Sequence, residues 1–387
     1  MNLAVPSTPA TAAISRRRIR VMIVDDAIVV RGLFARWVEA EPDLEVVGTL
    51  RTGREAVAQV ERADPDVVVL DVDMPELDGI AALPLLLKKK PDLIVIMAST
   101  LTRRNAEISL RALSLGATDY IPKPTTNQEV AGAVSFHREL IEKIRHLGAR
   151  SKHLSQTDPR TAVGADTKTA PRSRPREDHV HPPLLLRAMP TSPPRVLLIG
   201  SSTGGPQVLD KIVGHIGAVI DRVPVLITQH MPPTFTAILA EHLTRIAKCP
   251  VHEGQNGEEV VAGKIYLAPG GKHMTVARRD GGAPVIAIED GPLVNFCKPA
   301  VDPLFTSAAT VWGAKALALV LTGMGSDGLN GAKAIVAAGG HIMAQDEATS
   351  VVWGMPGQVA MAGLCSAVLP IYDIAPRLTR LYAGERT

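Results

Sequence analysis

Two sets of side chains in this 387-residue chain have types and spacings suited to chemistry. The first is acidic. Asp25 and Asp26 follow the apolar run Ile19–Val24, and Asp71 follows Val67–Leu70. Carboxylates that close two neighbouring strands of a parallel sheet meet at one sheet edge. There they repel one another unless a cation sits among them, and an all-oxygen set suits Mg²⁺. Ser99, after the run Ile94–Ala98, adds a hydroxyl, and Lys123, in Ile121-Pro122-Lys123-Pro124, adds an ammonium at the same edge. A metal, an ammonium and a hydroxyl around one carboxylate describe a site for a transferred phosphoryl group. One strand-terminal Asp alone would more often be a turn former. The groups taken together, in this order, favour function.

The second set is nucleophilic. Gly200-x-Ser202-x-Gly204 has the spacing of a nucleophile elbow between a strand and a helix. The same residues also read as a helix cap or an anion-binding loop, and the motif alone divides the readings evenly. It lacks the Gly-Lys-Ser/Thr ending of a P-loop. A hydroxyl needs a base to act as a nucleophile at neutral pH. Of the eleven histidines, His230 alone follows directly on a strand end, beside Met231-Pro232-Pro233. His153, His179 and His181 fall in a proline-rich stretch, His242 lies within an amphipathic helix, and His341 begins a strand, at the opposite edge. Asp327, in the loop after Ala316–Leu321, is the acid placed to orient the imidazole. The chain order Ser, His, Asp differs from that of α/β-hydrolases. Gly323, Gly325 and Gly328 also match a dinucleotide fingerprint, with Asp346 at about the distance of a ribose-binding acid. In that reading Asp327 would set a carboxylate beside the pyrophosphate, and Ser202 and His230 would have no role.

Both sets require sheets to position them. From Ile19 to Leu147, continuous apolar strands alternate with helical periodicity, and the rhythm restarts at Arg195. This is the form of an α/β chain with two doubly wound parallel-sheet domains. The expected division is a tail over 1–16, a first domain over 17–147, a linker over 148–194 and a second domain over 195–387. The first helix is expected to turn Val29, Leu33 and Trp37 inward, and the last helix of the first domain to span about 128–147. Residues 251–295, rich in Gly, predict a β-hairpin insertion. The linker holds eight prolines and reads as extended chain, with its Leu184-Leu185-Leu186 run undocked.

Charge excludes one function class. The net +3 hides a partition: residues 21–147 carry 15 basic and 20 acidic groups, and residues 195–387 carry 15 of each. The basic excess lies in the tail and linker. With three Trp, four Tyr and five Phe, a base-stacking platform is not expected, nor is nucleic-acid binding. No apolar run approaches the roughly 20 residues of a membrane span. Cys249, Cys297 and Cys365 lie too far apart for a C-x-x-C pair, which favours a reducing, cytoplasmic setting.

Two resemblances then specify the expectations. Val24-Asp25-Asp26, Leu70-Asp71-Val72-Asp73-Met74-Pro75, Asp78-Gly79 and Tyr120-Ile121-Pro122-Lys123-Pro124 resemble a response-regulator receiver domain, flavodoxin-like in fold. The resemblance implies that Asp71 accepts phosphate from a histidine kinase. It also implies that Asp25, Asp26 and the backbone of Asp73 hold Mg²⁺ with Asp71, and that Ser99 and Tyr120 form the switch pair. Ile199-Gly200-Ser201-Ser202-Thr203-Gly204-Gly205, Thr228-Gln229-His230-Met231-Pro232, Leu321-Thr322-Gly323-Met324-Gly325-Ser326-Asp327-Gly328 and Gly354-Met355-Pro356 resemble the catalytic domain of the chemotaxis protein-glutamate methylesterases. That resemblance implies a cofactor-free serine hydrolase acting on glutamyl γ-methyl esters of chemoreceptors, with deamidation of receptor glutamines in some members. Ser202, His230 and Asp327 would be its triad, and the backbone N–H groups of Thr203 and Met324 its oxyanion donors. Phe296-Cys297-Lys298 departs from the family pattern, which has basic and histidine side chains there.

Overall fold

The structure, a computed structural model, describes residues 17–123, 130–155, 184–279 and 282–385. The tail over 1–16 and most of the linker lie outside the described residues.

The first domain runs β1 (Ile19–Val24), α1 (Ile28–Glu39), β2 (Leu44–Leu50), α2 (Gly53–Ala63), β3 (Val67–Asp71), α3 (Gly79–Lys89), β4 (Ile94–Thr100), α4 (Arg103–Ser114), β5 (Asp119–Lys123) and α5 (Val130–Ser155). The strands form one parallel sheet in the order β2-β1-β3-β4-β5. β1 and β3 are adjacent because their runs of Val, Ile and Leu are buried on both faces. Val24 pairs with Leu70, so Asp25 and Asp71 emerge side by side. Helix starts are set by short polar side chains. Thr52, Asp78 and Thr102 accept the backbone N–H of Glu55, Ala81 and Asn105 at 3.2, 2.7 and 3.2 Å.

The second domain begins with β6 (Val196–Ser201), α6 (Gly205–Val213), α7 (Gly217–Ile220), β7 (Val225–Gln229), α8 (Phe235–Ala247), β8 (Val251–Glu253), β9 (Ile265–Leu267), β10 (His273–Arg278) and β11 (Pro284–Glu289). It ends with α9 (Val301–Trp312), β12 (Ala316–Val320), α10 (Leu329–Ala337), β13 (His341–Gln345), α11 (Met355–Met361), β14 (Ala367–Leu369) and α12 (Ile371–Tyr382). Its seven-stranded parallel sheet has the order β14-β13-β12-β6-β7-β9-β8. β12, β6 and β7 lie at its centre, so the loops carrying Ser202, His230 and Asp327 leave from one edge.

Three sequence expectations need correction. On α1 the buried stripe is Phe34 and Val38, whereas Val29 is 77% exposed; Leu33 and Trp37 are half-buried. α5 continues to Ser155, past the expected stop at 147; Gly148 does not end it but lies against β1, where a Cβ would stand 2.6 Å from Ile19 Cγ2. Only β10 and β11 form the antiparallel hairpin; β8 and β9 join the main sheet. At the end of the linker, Leu184 and Met189 pack against apolar clusters, and Arg187 N donates to Cys365 O at 2.8 Å. Leu185 and Leu186 stay exposed.

The domains meet along α4, α6 and α8. Tyr120 stacks on Phe235 with ring centroids 4.8 Å apart and an interplanar angle of 11°. Arg103 Nη2 donates to Glu241 at 2.8 Å, and Gln207 Nε2 donates to Ala117 O at 3.1 Å. Arg138 on α5 lies 3.5 Å from the centroid of the Phe296 ring.

The turn after β3 also depends on a close approach. A Cβ at Gly79 would stand 2.1 Å from Asp71 O. Gly79→Ala is therefore expected to displace the β3 edge and to destabilise the first domain by about 1–3 kcal/mol, the scale of an overpacked core. Denaturant unfolding followed by circular dichroism measures this; an unchanged midpoint would contradict the packing argument.

Candidate functional site

At the edge of the first sheet, Asp25, Asp26 and Asp71 each offer an oxygen, all within 4.8 Å of one another. Asp25 and Asp71 are buried and Asp26 is exposed. Lys123 Nζ lies 2.7 Å from Asp25 Oδ2 and 2.7 Å from Asp71 Oδ1, neutralising part of their charge. Burial pushes the Asp71 carboxyl up to about 6; Lys123 opposes this and the Asp25 charge adds to it. The all-oxygen donor set and its unbalanced charge fit a hard divalent cation. The Asp73 side chain is turned away, accepting from Asn105 Nδ2 at 3.0 Å. Its side chain is thus engaged elsewhere, which leaves its backbone as the part that would join such a set. Ser99 Oγ bonds Ser109 Oγ at 2.9 Å rather than facing Asp71. Tyr120 is buried, its ring committed to Phe235 in the other domain.

At the edge of the second sheet, His230 Nε2 and Asp327 Oδ2 are 2.7 Å apart. The carboxylate is buried, and backbone N–H groups hold it in place. Val301 N donates to Oδ2 at 2.5 Å, and Asp302 N and Gly328 N donate to Oδ1 at 3.1 and 3.0 Å. Asn295 Nδ2 adds a further bond at 3.0 Å. Val301 and Asp302 open α9, so Asp327 occupies a helix N-terminus whose own N-cap, Ala300, has no side-chain oxygen. Burial alone would raise the Asp327 pKa. His230 and these amides outweigh it and hold the carboxyl below its ordinary value.

Ser202 sits between β6 and α6, as the elbow spacing predicts, with Gly204 at φ 74° behind it. A Cβ at Gly323 would stand 2.9 Å from Ser202 Cβ and 2.3 Å from Met355 Sδ, so only Gly lets these loops close up. Gln229 ties the serine and histidine loops together. Its Oε1 accepts from Ser201 Oγ at 2.7 Å and its Nε2 donates to Ser202 O at 2.9 Å, while His230 N donates to Ser201 O at 3.1 Å. Thr203 follows Ser202 and Met324 follows Gly323, and among the described residues neither amide N–H has a hydrogen-bond partner.

The serine and the imidazole are not joined. Among the described residues no hydrogen bond links Ser202 Oγ to His230. Instead Cys297 Sγ lies 3.3 Å from His230 Nδ1, the ring nitrogen left free by Asp327. Burial opposes a charged imidazole, but the Cys297 sulfur and then Asp327 outweigh it and push His230 up to about 10. In this state Nδ1 faces the Cys297 sulfur and not the serine hydroxyl. Sequence reasoning missed Gln229, Asn295 and Cys297 as site residues. Gln229 had a signal, since it ends β7 beside His230. Asn295 and Cys297 come from an irregular loop with φ 50° at Asn295 and 64° at Phe296, for which no periodicity exists. The Asp346 of the dinucleotide alternative accepts from Thr349 N and Oγ1 in its own turn, at 3.0 and 2.6 Å.

Residues 197–378 match the family model described as CheB methylesterase, and residues 21–135 match the response regulator receiver domain. A protein-glutamate methylesterase/protein-glutamine glutaminase of Rhodopseudomonas palustris (strain HaA2) is 60% identical over 397 residues, covering 100% of both chains. A protein of the same name from Nitrobacter hamburgensis is 60% identical over 390 residues, again with 100% of each chain covered. The solved Thermotoga maritima CheB methylesterase catalytic domain is 38% identical, covering 49% of this chain and 98% of that chain, with a TM-score of 0.47.

The raised pKa of Asp71 has a consequence for stability. A carboxyl that holds its proton more tightly when folded favours the folded state below its ordinary value of 3.8. That advantage is lost as pH rises through about 6, leaving a buried charge at neutral pH. Asp71→Asn should therefore stabilise the first domain at pH 7.5 by about 1–2 kcal/mol. The gain should shrink as pH is lowered toward 4, near the ordinary carboxyl value. Thermal unfolding across this range checks it, and a pH-independent difference would count against the assignment.

Proposed function

The chain belongs to the protein-glutamate methylesterase/protein-glutamine glutaminase family, with a receiver domain ahead of its hydrolase domain, and we propose that it demethylates chemoreceptor glutamyl γ-methyl esters under control of phosphorylation at Asp71. The observation that carries the reading is the His230–Asp327 pair at the mouth of a nucleophile elbow.

In the proposed reaction Ser202 Oγ attacks the ester carbonyl while His230 Nδ1 takes its proton. Asp327 fixes the tautomer through Nε2 and stabilises the imidazolium that forms. The amides of Thr203 and Met324 receive the oxyanion; one such donor is commonly worth about 10²–10³ in rate. Methanol leaves with the proton from His230, and water repeats the cycle on the acyl-enzyme. A glutamine side chain would follow the same path with ammonia leaving. For His230 to serve, Cys297 must leave Nδ1 to the serine hydroxyl.

The receiver supplies the control in this reading. A histidine kinase is the phosphodonor by family resemblance. Asp25, Asp26 and Asp71, with the backbone of Asp73, would hold Mg²⁺, which neutralises charge on the phosphoryl group when bound. Phosphorylation would recruit the Ser99 hydroxyl away from Ser109 and free the pocket for the Tyr120 ring to move. Because Tyr120 stacks on Phe235, which opens the helix following His230, that motion bears directly on the interdomain contact. Met324 and Val351 pack against the receiver-side apolar cluster that contains Phe136, so the receiver also lies close to the serine edge. The reading thus makes the receiver a cover that loosens on phosphorylation. No helix among the described residues is long and apolar enough to cross a membrane.

Two results are expected. Ser202→Ala should keep the fold and lower methanol release from methylated receptor by about 10³-fold or more, the scale of a missing nucleophile; retained turnover would remove Ser202 from the mechanism. Arg103→Glu should set two acids against each other at Glu241 and raise the unphosphorylated rate by about 2–5-fold, as expected of an exposed charge pair. Adding Glu241→Arg should restore the low rate. An unchanged rate in both variants would sink the covering role of this interface.

A further inference from the structure

We propose that Cys297 is a peroxide-sensitive thiol whose oxidation and reduction switch the hydrolase off and on through His230. The cysteine lies on the loop between the hairpin and α9, half-buried and in reach of solvent. Its Sγ is 3.3 Å from His230 Nδ1, and the far side of that imidazole is fixed on Asp327 at 2.7 Å. Sulfur, imidazole and carboxylate thus stand in line as a Cys–His–Asp array. Such an array activates a thiol, because the imidazole can take the thiol proton and the carboxylate stabilises the resulting cation. The raised pKa of His230 is consistent with that charge separation.

The other cysteines lack these features. Cys365 is fully buried, and desolvation pushes its thiol up to about 12. Cys249 is half-buried, and burial followed by the Asp221 charge raises its pKa above the ordinary value. Among the three, Cys297 is therefore the site an oxidant should reach first.

The step balances with a hydroperoxide as oxidant. The sulfur attacks one peroxide oxygen, so an S–O bond forms and the O–O bond breaks. Sulfur gives up two electrons and becomes a sulfenic acid, and the thiol proton passes by way of His230 to the departing hydroxide, which leaves as water. The new oxygen is then lodged against Nδ1, the nitrogen that the ester reaction needs. Two equivalents of a small thiol reverse the step, yielding the free cysteine, a disulfide of the reductant and water. The loop also touches the receiver, since Arg138 lies over the ring of neighbouring Phe296. Access to Cys297 should accordingly vary with the seating of that domain.

The effect on hydrolysis rests on the reading of His230 as the ester base, whereas the thiol chemistry does not, and the experiment separates the two. The full chain is treated with hydrogen peroxide in the presence of a 1,3-dione that traps sulfenic acids, and the adduct is mapped by peptide mass. Cys297 should be trapped at least about tenfold faster than Cys249 or Cys365, and His230→Gln should slow that trapping by about tenfold, the size expected when a thiol loses its paired base. Trapping spread evenly over the cysteines, or a Cys297 rate indifferent to His230, would overturn the proposal. In parallel, methanol release is measured for each protein as the ratio of peroxide-treated to untreated rate, with and without later dithiothreitol. The wild-type ratio should fall in step with Cys297 oxidation and recover on reduction, and Cys297→Ser should show a ratio near one. Selective trapping without loss of turnover would overturn the switch while leaving the reactive thiol in place.

Discussion

Asp327 is 2% exposed and would be costly to bury as an anion without partners. It is reached by the amides of Val301, Asp302 and Gly328, by Asn295 Nδ2 and by His230 Nε2. The first two amides belong to a helix that begins at Ala300 without a cap of its own. One carboxylate therefore completes α9, anchors the 295–302 loop and sets the ring orientation of His230. Because the β12 loop, α9 and the β7 loop all converge on it, the position of each catalytic candidate depends on the others. Losing the charge would leave the first turn of α9 short of partners as well as freeing the histidine.

The same constraint leaves one side of the imidazole open to other partners. With Nε2 committed to Asp327, only Nδ1 is available to exchange partners. Cys297 holds it in this structure, on a loop whose next ring, Phe296, lies under Arg138 of the receiver. The β7 side is likewise touched by the receiver, through Tyr120 on Phe235. The two domains therefore approach the histidine from both of its flanking loops. In the proposed control a change in the receiver would need no long relay, since each contact is with a neighbour of a site residue.

Much of this was legible in the sequence, for reasons that differ by element. The buried parallel strands β1, β3, β6, β7 and β12 are continuous apolar runs, so their ends could be read off, and with them the sheet-edge positions of Asp25, Asp71, Ser202 and His230. The acidic cluster followed from strand ends alone. The α1 stripe was misread because Leu33 and Trp37 are as apolar as Phe34 and Val38, and only packing against α5 and the sheet decides which pair is inside. β8 and β9 were missed as sheet members because three-residue strands in a Gly-rich stretch have too short a pattern. The trans cap of α9 by Asp327 has no local signal: it joins residues 25 or more positions apart. Nor could spacing show that His230 Nδ1 would face Cys297 instead of Ser202.

In the proposed function Ser202 is the nucleophile, and the receiver sets its reactivity through the surroundings of His230. The most direct measurement is the rate of covalent labelling of the full chain by a serine-directed fluorophosphonate, with the adduct mapped by mass, before and after addition of acetyl phosphate and Mg²⁺. A single adduct on Ser202 is expected, with a rate that rises several-fold with the phosphodonor and does not rise in Asp71→Asn. An adduct on another residue, or a Ser202 rate that ignores the phosphodonor, would contradict it.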